Sequence, residues 1–435
     1  MKIQFWTLLI LSGMISLSAR SQDLLSLTVQ DACNFAIEHN LTLKNSNLAV
    51  AKSQQAIKEA VANGLPQLDA TLDYSNALGA EISITFAEGM PPTVIPIKPS
   101  SNLYLNFTQL IFSGNYIVGV QTARLAKELS TLNVQKTELD IQTQVIETYY
   151  LVQLSSKIKS ILEKNVENLE KLYVKTAAMA NAGIIEQTNV DQLRIQVNAL
   201  KNAVSSSERQ LEMVKNLMRL QLGMEINTQF VLTESVESLL LRTDGGEILQ
   251  NQFSLSGNVD YQMMKKQEEI SRKMVDMKYS NYLPTIAGYY RYTQKILKPD
   301  FDMTPQNTIG VQVSIPIFSS GMRMAQVNQA KIDLRSMQNT KELIGNQLQI
   351  QENQLKFNYN NAVETFNNQK ENIEVSRKVY ENLKFKFEQG MISGLDMINA
   401  DNNYLKAETD YLSSMLEVLR ADLQLKKLYG TLQKK

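Results

Sequence analysis

Residues 101–114 read SNLYLNFTQLIFSG and contain the change of pattern on which the fold depends. Leu103, Leu105 and Phe107 alternate with polar neighbours, which is the period-two pattern of a strand with one apolar face. After Ser113-Gly114 the alternation stops, and apolar residues recur three and four positions apart, as in an amphipathic helix. The stretch therefore predicts a strand at about residues 102–112 that leads directly into a helix.

This change of pattern occurs twice in the chain. Residues 307–317, NTIGVQVSIPI, alternate in the same way, and Ile-Phe-Ser at 111–113 recurs at 317–319. Further pairs recur at similar offsets: Asn40 and Asn258, Leu65-Pro66 and Leu283-Pro284, Gly183 and Gly390. We therefore predict an internal duplication, with a first repeat at 22–223, a connecting segment at 224–257, a second repeat at 258–430 and a tail at 431–435. Each repeat is a short helix, two strands and a hairpin of long helices.

Long helices are predicted because residues 100–283 and 317–435 contain no proline. Apolar residues follow a heptad from Val190 to Met218, which is coiled-coil patterning. Gly183 predicts the turn of the first hairpin, and Thr188 or Asn189 is the expected cap of the following helix. A helix from near Tyr116 to this turn would have about 65 residues and a length on the order of 95 Å, too long for a compact domain. The second hairpin is predicted to turn near Gly390.

Four strands are predicted in all, at about 66–76, 102–112, 285–294 and 307–317. Their length and alternation suit transmembrane strands, but an ordinary half-buried sheet in a soluble domain would show the same pattern. Four strands leave two edges and cannot close around a lumen, and open edges are not tolerated inside a membrane. If the strands lie in a membrane, several chains must therefore contribute them, and three chains would give twelve.

The composition excludes several function classes. The 44 basic residues equal the 44 acidic residues, whereas a nucleic-acid-binding protein normally carries a basic excess. One His and one Cys cannot build a zinc cluster or a Cys/His catalytic pair, and no phosphate-binding glycine loop is present. We therefore expect no catalytic site, no metal, no cofactor and no nucleic-acid partner.

The N-terminus predicts export. Lys2 precedes a short apolar run, which ends in the small residues Ala19 and Ser21. These are the parts of a secretory signal peptide, here residues 1–21 with cleavage after Ser21. No later stretch approaches 18 consecutive apolar residues, so no transmembrane helix is predicted.

In this order and in duplicate, the motifs resemble those of the TolC-type outer-membrane efflux protein family. The resemblance runs from about Leu27 to Gly430 and rests on Leu-Thr-Val-Gln-Asp-Ala at 27–32, Leu-Pro-Gln-Leu at 65–68, Ile-Phe-Ser-Gly at 111–114 and the two glycine turns. It implies a mostly helical fold in which long hairpins form an α-barrel in the periplasm. It also implies that three chains close a twelve-stranded β-barrel in the outer membrane.

The resemblance implies a function as well. Such a homotrimer, embedded in outer-membrane lipid, would be a passive exit duct for substrates that an inner-membrane transporter delivers through a periplasmic adaptor. The aperture would lie near the second hairpin turn, at Asp396 and Asn399, with Asn189 and Asp191 in the first repeat. Gly183, Ile184, Gly390 and Met391 would be the tips that contact the adaptor. Ile392 stands where some members carry a basic residue, so a salt-bridge lock is not expected.

Two alternatives remain open from the sequence. The chain could be a periplasmic coiled-coil adaptor or structural protein without a membrane barrel. Asp396 could be a solvated residue that caps its own helix rather than part of an aperture.

Overall fold

The computed structural model describes residues 25–85, 89, 91–243, 245–298 and 304–432. The predicted signal peptide, residues 1–21, lies outside them. The chain is mainly helical, and two of its helices are far longer than the rest. The helices are α1 (Val29–His39), α2 (Leu41–Ala62), α3 (Gly114–Asn181), α4 (Gln187–Leu222), α5 (Val236–Leu240), α6 (Gly245–Ile248), α7 (Val259–Ser280), α8 (Met322–Glu388) and α9 (Gly394–Tyr429), with one 3-10 turn at Leu255–Gly257.

One antiparallel sheet contains the four long strands. The strands are β1 (Leu25–Leu27), β2 (Gln67–Ser75), β3 (Glu81–Ile84), β4 (Thr93–Pro96), β5 (Ser100–Phe112), β6 (Phe230–Leu232), β7 (Thr285–Leu297) and β8 (Asn307–Ser314). The sheet has the order β2-β5-β7-β8, and every neighbouring pair is antiparallel. The sequence did not predict the other two sheets, the short β3–β4 hairpin and the parallel pair β1–β6. The fourth strand ends at Ser314 rather than at 317.

The helices beside the sheet follow the same spatial order as the strands. α2 packs against α3, α3 against α7, and α7 against α8. This order arises because α2 leads into β2, β5 into α3, α7 into β7 and β8 into α8. Farther along, α3 packs against α4 and α8 against α9, and α9 also contacts α3. The chain is therefore an elongated set of helices with a sheet at one end and two hairpin turns at the other.

The duplication is visible in matching hydrogen bonds. Asn40 caps α2 through its side-chain oxygen, and its amide group donates to the Gln221 carbonyl at 2.7 Å. Asn258 caps α7 in the same way and donates to the Leu428 carbonyl at 3.2 Å. In both repeats one asparagine thus starts a helix that leads into the sheet, α2 or α7, and joins it to the end of the helix that returns from a hairpin turn, α4 or α9. The glycines that follow α4 and α9, Gly223 and Gly430, both adopt left-handed backbone.

Three hydrophobic cores stabilise the described helices; one joins α6, α8 and α9, and the other two include α3 and α4. The larger surrounds the junction of α1, α3, α4 and α9 with β1 and β6, and Tyr149 lies fully buried within it. The Tyr149 hydroxyl donates to the Leu27 carbonyl and accepts from the Glu234 amide, each at 3.0 Å. The second core lies toward the turns and combines residues of α3, α4, α8 and α9. Most of the predicted heptad residues of α4 are buried in these two cores.

Candidate channel surfaces

The register of the sheet places its apolar side chains on one face. Directly paired residues of an antiparallel sheet share a face, and Leu105 pairs with Ala70 on one side and Tyr292 on the other. Tyr290 pairs with Phe107 and with Ile309. This face is exposed in the single chain, with Ile309 at 83% of its full accessibility and Leu68 at 70%. An apolar face of this extent on all four strands indicates a surface that is covered in the working protein.

The opposite face of the sheet is polar. Asn106 pairs with Asp69 and with Arg291, and Arg291 in turn pairs with Thr308. The Arg291 Nε donates to the Asn106 side-chain oxygen at 2.7 Å, and its guanidinium lies 5.6 Å from the centre of the Tyr104 ring. The two faces therefore have the chemistry of a sheet that separates an apolar medium from water.

Both lateral edges of the molecule carry exposed apolar residues at heptad spacing. On α8, Leu343, Ile350 and Phe357 are 56%, 69% and 70% exposed. On α2, at the other edge of the layer, Leu41 and Leu48 are also largely exposed. Seven-residue spacing is the pattern of a helix–helix contact, and within the described residues these side chains lack such a partner.

The two hairpin turns have nearly the same backbone. Gly183 and Gly390 both have a φ of 73°, a conformation that side-chain-bearing residues avoid. The residues that follow them, Ile184 and Met391, are exposed apolar side chains. Ile392 is instead partly buried against the second core, which also includes Leu193 and Met397. Helix α4 begins after Glu186 without a side-chain cap, so the predicted capping role of Thr188 or Asn189 is wrong.

Asp396 caps the start of α9. Its carboxylate accepts from the Ser393 hydroxyl at 2.7 Å and from the Ser393 backbone amide at 3.1 Å, while the Ser393 hydroxyl in turn caps the Asp396 amide. These hydrogen bonds from Ser393 lower the pKa of the exposed Asp396 carboxyl below its usual value of 3.8. Within one chain, Asp396 thus acts as the self-capping residue that the sequence left as an alternative.

The four predicted aperture residues lie within the first two turns of α4 and α9, and hydrogen bonds join these two helices. The Gly394 amide donates to the Asn189 side-chain oxygen at 3.4 Å. About two turns farther along both helices, the Gln196 side chain donates to the Asn402 side-chain oxygen at 2.8 Å. Asp191 and Asn399 are exposed. The two hairpins are therefore joined at their starts by polar side chains.

A buried carboxyl near this region was missed in the sequence. Asp401 is 3% exposed and borders a cavity of about 180 Å³ between α3, α8 and α9. Burial raises the pKa of Asp401 from 3.8 to about 6, although a hydrogen bond from Asn165 opposes the shift. The signal was available, because Asp401 follows Met397 by four residues and therefore shares its buried helix face.

Other chemistry is sparse in the part of the chain that the structure describes. Among these residues, no group of three or more His, Cys, Asp or Glu side chains is placed to hold a metal ion. No helix in the described ranges is both long and apolar enough to cross a membrane. Cys33 is buried, and burial raises its pKa to about 12. His39 stacks on Phe35 with ring centres 4.1 Å apart.

Solved channel structures share this fold. The outer membrane protein VceC from Vibrio cholerae superposes with a TM-score of 0.72 at 14% identity, over 92% of this chain and 96% of that one. The Campylobacter jejuni CmeC outer membrane channel gives 0.72 at 14% identity, over 92% and 85%. The open state of the Neisseria gonorrhoeae MtrE outer membrane channel gives 0.69 at 14% identity, over 92% and 88%. No curated protein sequence matches the chain.

The long hairpins, the two-faced sheet and these superpositions define a channel subunit of the TolC-like fold, which confirms the predicted fold class. The sequence model described as outer membrane efflux protein matches residues 33–223 and 252–431. The chain belongs to this family, and its function is that of an outer-membrane efflux channel.

Proposed function

We propose that three copies of this chain close one passive duct across the outer membrane and the periplasm. The observation that carries the proposal is the exposed apolar face of a four-stranded sheet whose edge strands, β2 and β8, have no further strand beside them among the described residues. In this arrangement the apolar face contacts lipid, the polar face lines water, and a signal peptide at residues 1–21 directs export.

The strand order permits closure without a mismatch. Because the four strands alternate in direction, β8 of one copy would lie antiparallel to β2 of the next. Three copies then give twelve alternating strands, which is within the range of closed membrane barrels. The Leu343, Ile350 and Phe357 stripe of α8 would at the same time meet the Leu41 and Leu48 stripe of the next α2.

The mass of the particle tests this proposal. We expect the full-length precursor, expressed with its signal and extracted from the outer membrane in detergent, to contain three chains of at most 49.2 kDa each. Ile350→Glu with Phe357→Glu should reduce the trimer fraction, because it places charge in the α8 contact. Gln349→Glu, roughly 100° away around the helix, is the matched control. A monomer in the soluble periplasmic fraction would refute the duct and favour the adaptor.

We further propose that the turns form the periplasmic end of the duct. Ile184 and Met391, beside Gly183 and Gly390, offer exposed apolar contacts to a periplasmic adaptor, which would connect the duct to an inner-membrane transporter. Asp396, Asn399, Asn189 and Asp191 would surround the aperture. Their grouping at the starts of α4 and α9 supports this role.

The double use of Asp396, as cap and as aperture charge, can be separated by two variants. Ser393→Ala removes the capping partner and keeps the carboxylate, whereas Asp396→Ala removes both. We expect Asp396→Ala to alter cation block or leak in the reconstituted channel and Ser393→Ala to leave both near wild type, since a ring of carboxylates attracts cations. Equal behaviour of the two variants would remove Asp396 from the aperture and leave it as a cap.

A further inference from the structure

A second charged surface lies between the sheet and the turns. A cavity of about 1300 Å³ opens on one face of the helical layer and is bordered by all four of its helices. Its wall includes Ile57 of α2, Arg124 of α3, Lys265 of α7 and Lys341 of α8. Arg124 lies about 15 Å along α3 from the end of the sheet, at 1.5 Å per residue.

The cavity identifies the inner side of the helical layer. Four neighbouring helices can surround one space only on the concave side of the layer that they form. A layer that closes into a tube turns its concave side inward, so the cavity faces the lumen of the proposed duct. This step, and the inference that follows, rest on the proposed function.

Basic residues dominate the cavity wall, although the chain as a whole has equal numbers of acidic and basic residues. The wall has three carboxylates, Glu128, Glu268 and Glu269. It also has seven cations: Arg124, Lys127, Lys265, Lys266, Arg272, Lys273 and Lys341. Seven minus three leaves a net charge of +4 per chain.

The carboxylates of the wall are already neutralised by part of this basic set. Lys266 pairs with Glu128 at 2.9 Å and with Glu269 at 2.7 Å. The buried Glu268 accepts from Lys341 at 2.5 Å and from Arg272 at 3.1 Å. These pairs fix the acidic groups in place, so they do not compete for the remaining cations.

Lys273 pairs with Asp276, outside the wall, at 3.1 Å, so three cations of the wall are left without a counter-charge. Among the described residues, the side chains of Arg124, Lys127 and Lys265 make no hydrogen bond or ion pair. Arg124 and Lys265 are exposed, and Lys127 is half-buried. Guanidinium and ammonium groups in this state are available donors for carboxylate or phosphate oxygens.

We propose that Arg124, Lys127 and Lys265 form an anion-binding belt inside the duct. With three such cations per chain, a trimer would carry nine. The ligands are solutes with several carboxylate or phosphate groups, because several fixed cations favour multivalent anions over chloride. The field of each cation decays over about 8 Å at physiological ionic strength, so the belt acts on solutes that pass close to the wall. The belt therefore binds multivalent anions that enter the duct.

The test is electrical and uses the full-length trimer in planar lipid bilayers. In a KCl gradient, the triple variant Arg124→Gln, Lys127→Gln, Lys265→Gln should shift the chloride-to-potassium permeability ratio toward potassium by a factor of about three. The matched control is Arg209→Gln, Lys370→Gln, Lys378→Gln, which removes the same charges from exposed helix positions outside the cavity. This control should leave the ratio within about 1.3-fold of wild type.

Two multivalent probes distinguish the anionic groups. Tripolyphosphate tests phosphate and citrate tests carboxylate, and each should reduce the wild-type current at lower concentration than it reduces the current of the triple variant. A shift of about tenfold is expected for at least one probe. An unchanged permeability ratio and unchanged block by both probes would overturn the belt, as would an equal change in the control. Failure of the wild-type chain to form a conducting trimer would instead refute the proposed function.

Discussion

The two hairpin turns have the same backbone but are held in different ways. Each follows a helix of nearly equal length, 68 residues in α3 and 67 in α8, and each precedes a helix of 36 residues. The second turn fixes its following helix with the Ser393–Asp396 capping box. The first has no side-chain cap, and its Asn189 contacts the second turn instead. Repeating a backbone therefore does not repeat the interactions that hold it, and the second turn is the better fixed of the two.

The largest expected effect is on the hydrophobic core that the two hairpins share. Leu193 of α4 is fully buried in the core that also contains Met397 of α9. Leu193→Ala should lower the free energy of unfolding by about 2–5 kcal/mol, because it removes buried contacts and leaves a cavity. Arg194→Ala, at the adjacent exposed position, should change the free energy of unfolding by about 0.5 kcal/mol or less. Urea unfolding of the detergent-solubilised protein measures both.

Hydrogen exchange makes the comparison sharper. Leu193→Ala should accelerate amide exchange in the first turns of α9 as well as in α4, since both helices pack into this core. Protection of α9 that stays at the wild-type level would show that the two turns are stabilised independently.

The next expected effect is a pH dependence of stability that arises in the second repeat only. Asp401 in α9 corresponds to the exposed Arg194 in α4. The pKa of native Asp401 is about 6, above 3.8 for the free carboxyl, so the folded state holds more protons between these values. The unfolding free energy therefore falls by at most about 3 kcal/mol as the pH rises through this window. Above the window it stays at this lower value.

Asp401→Asn tests this titration. The variant should be more stable than wild type at pH 7.5, and the gap should narrow at pH 5, where the carboxyl is protonated. Thermal unfolding at both pH values measures the difference, and an equal gap at both would exclude Asp401 as its source. Other ionisable or polar groups face the same cavity: Lys164 and Asn165 on α3, Arg377, Tyr380 and Glu381 on α8, and Tyr404 and Glu408 on α9.

The smallest effect isolates the caps themselves. Ser393→Ala should cost about 1 kcal/mol locally, because it leaves backbone amides of the first turn of α9 without an acceptor. Thr188→Ala, at the corresponding start of α4, should cost almost nothing, since Thr188 makes no cap there. Amide hydrogen exchange in the first turns of α4 and α9 measures the effects of the two variants. If Thr188→Ala has as large an effect as Ser393→Ala, the described asymmetry of the turns is wrong.

Acid has opposite effects at the two carboxylates near the second turn. The lowered pKa of Asp396 means that its cap contributes stability above pH 3.8 and loses it as the pH falls further. Asp401 contributes most when protonated. Mild acidification should therefore strengthen the α3–α9 contact before stronger acid weakens the cap.

The candidate site was only partly predictable from the sequence. Gly183 and Gly390 were found because a left-handed turn between helices requires glycine. Whether a side chain caps a helix depends on the backbone of the turn before it. Ser393 caps α9, whereas the residues predicted to cap α4, Thr188 and Asn189, do not. The pairing of Asn189 with Gly394 joins residues 205 positions apart in the chain, so no local pattern could indicate it.

The sequence by itself determined the long helices, the four long strands, the duplication and the family. Alternation, heptads and the absence of proline are local properties, and they fix strands and long helices before any long-range contact forms. The tertiary structure decided which surfaces face one another. It placed Arg124, Lys127 and Lys265 around one space and left their charges unpaired, and it buried Asp401, which raises the pKa of its carboxyl. Both outcomes depend on distances between separate helices, and those distances are set by packing.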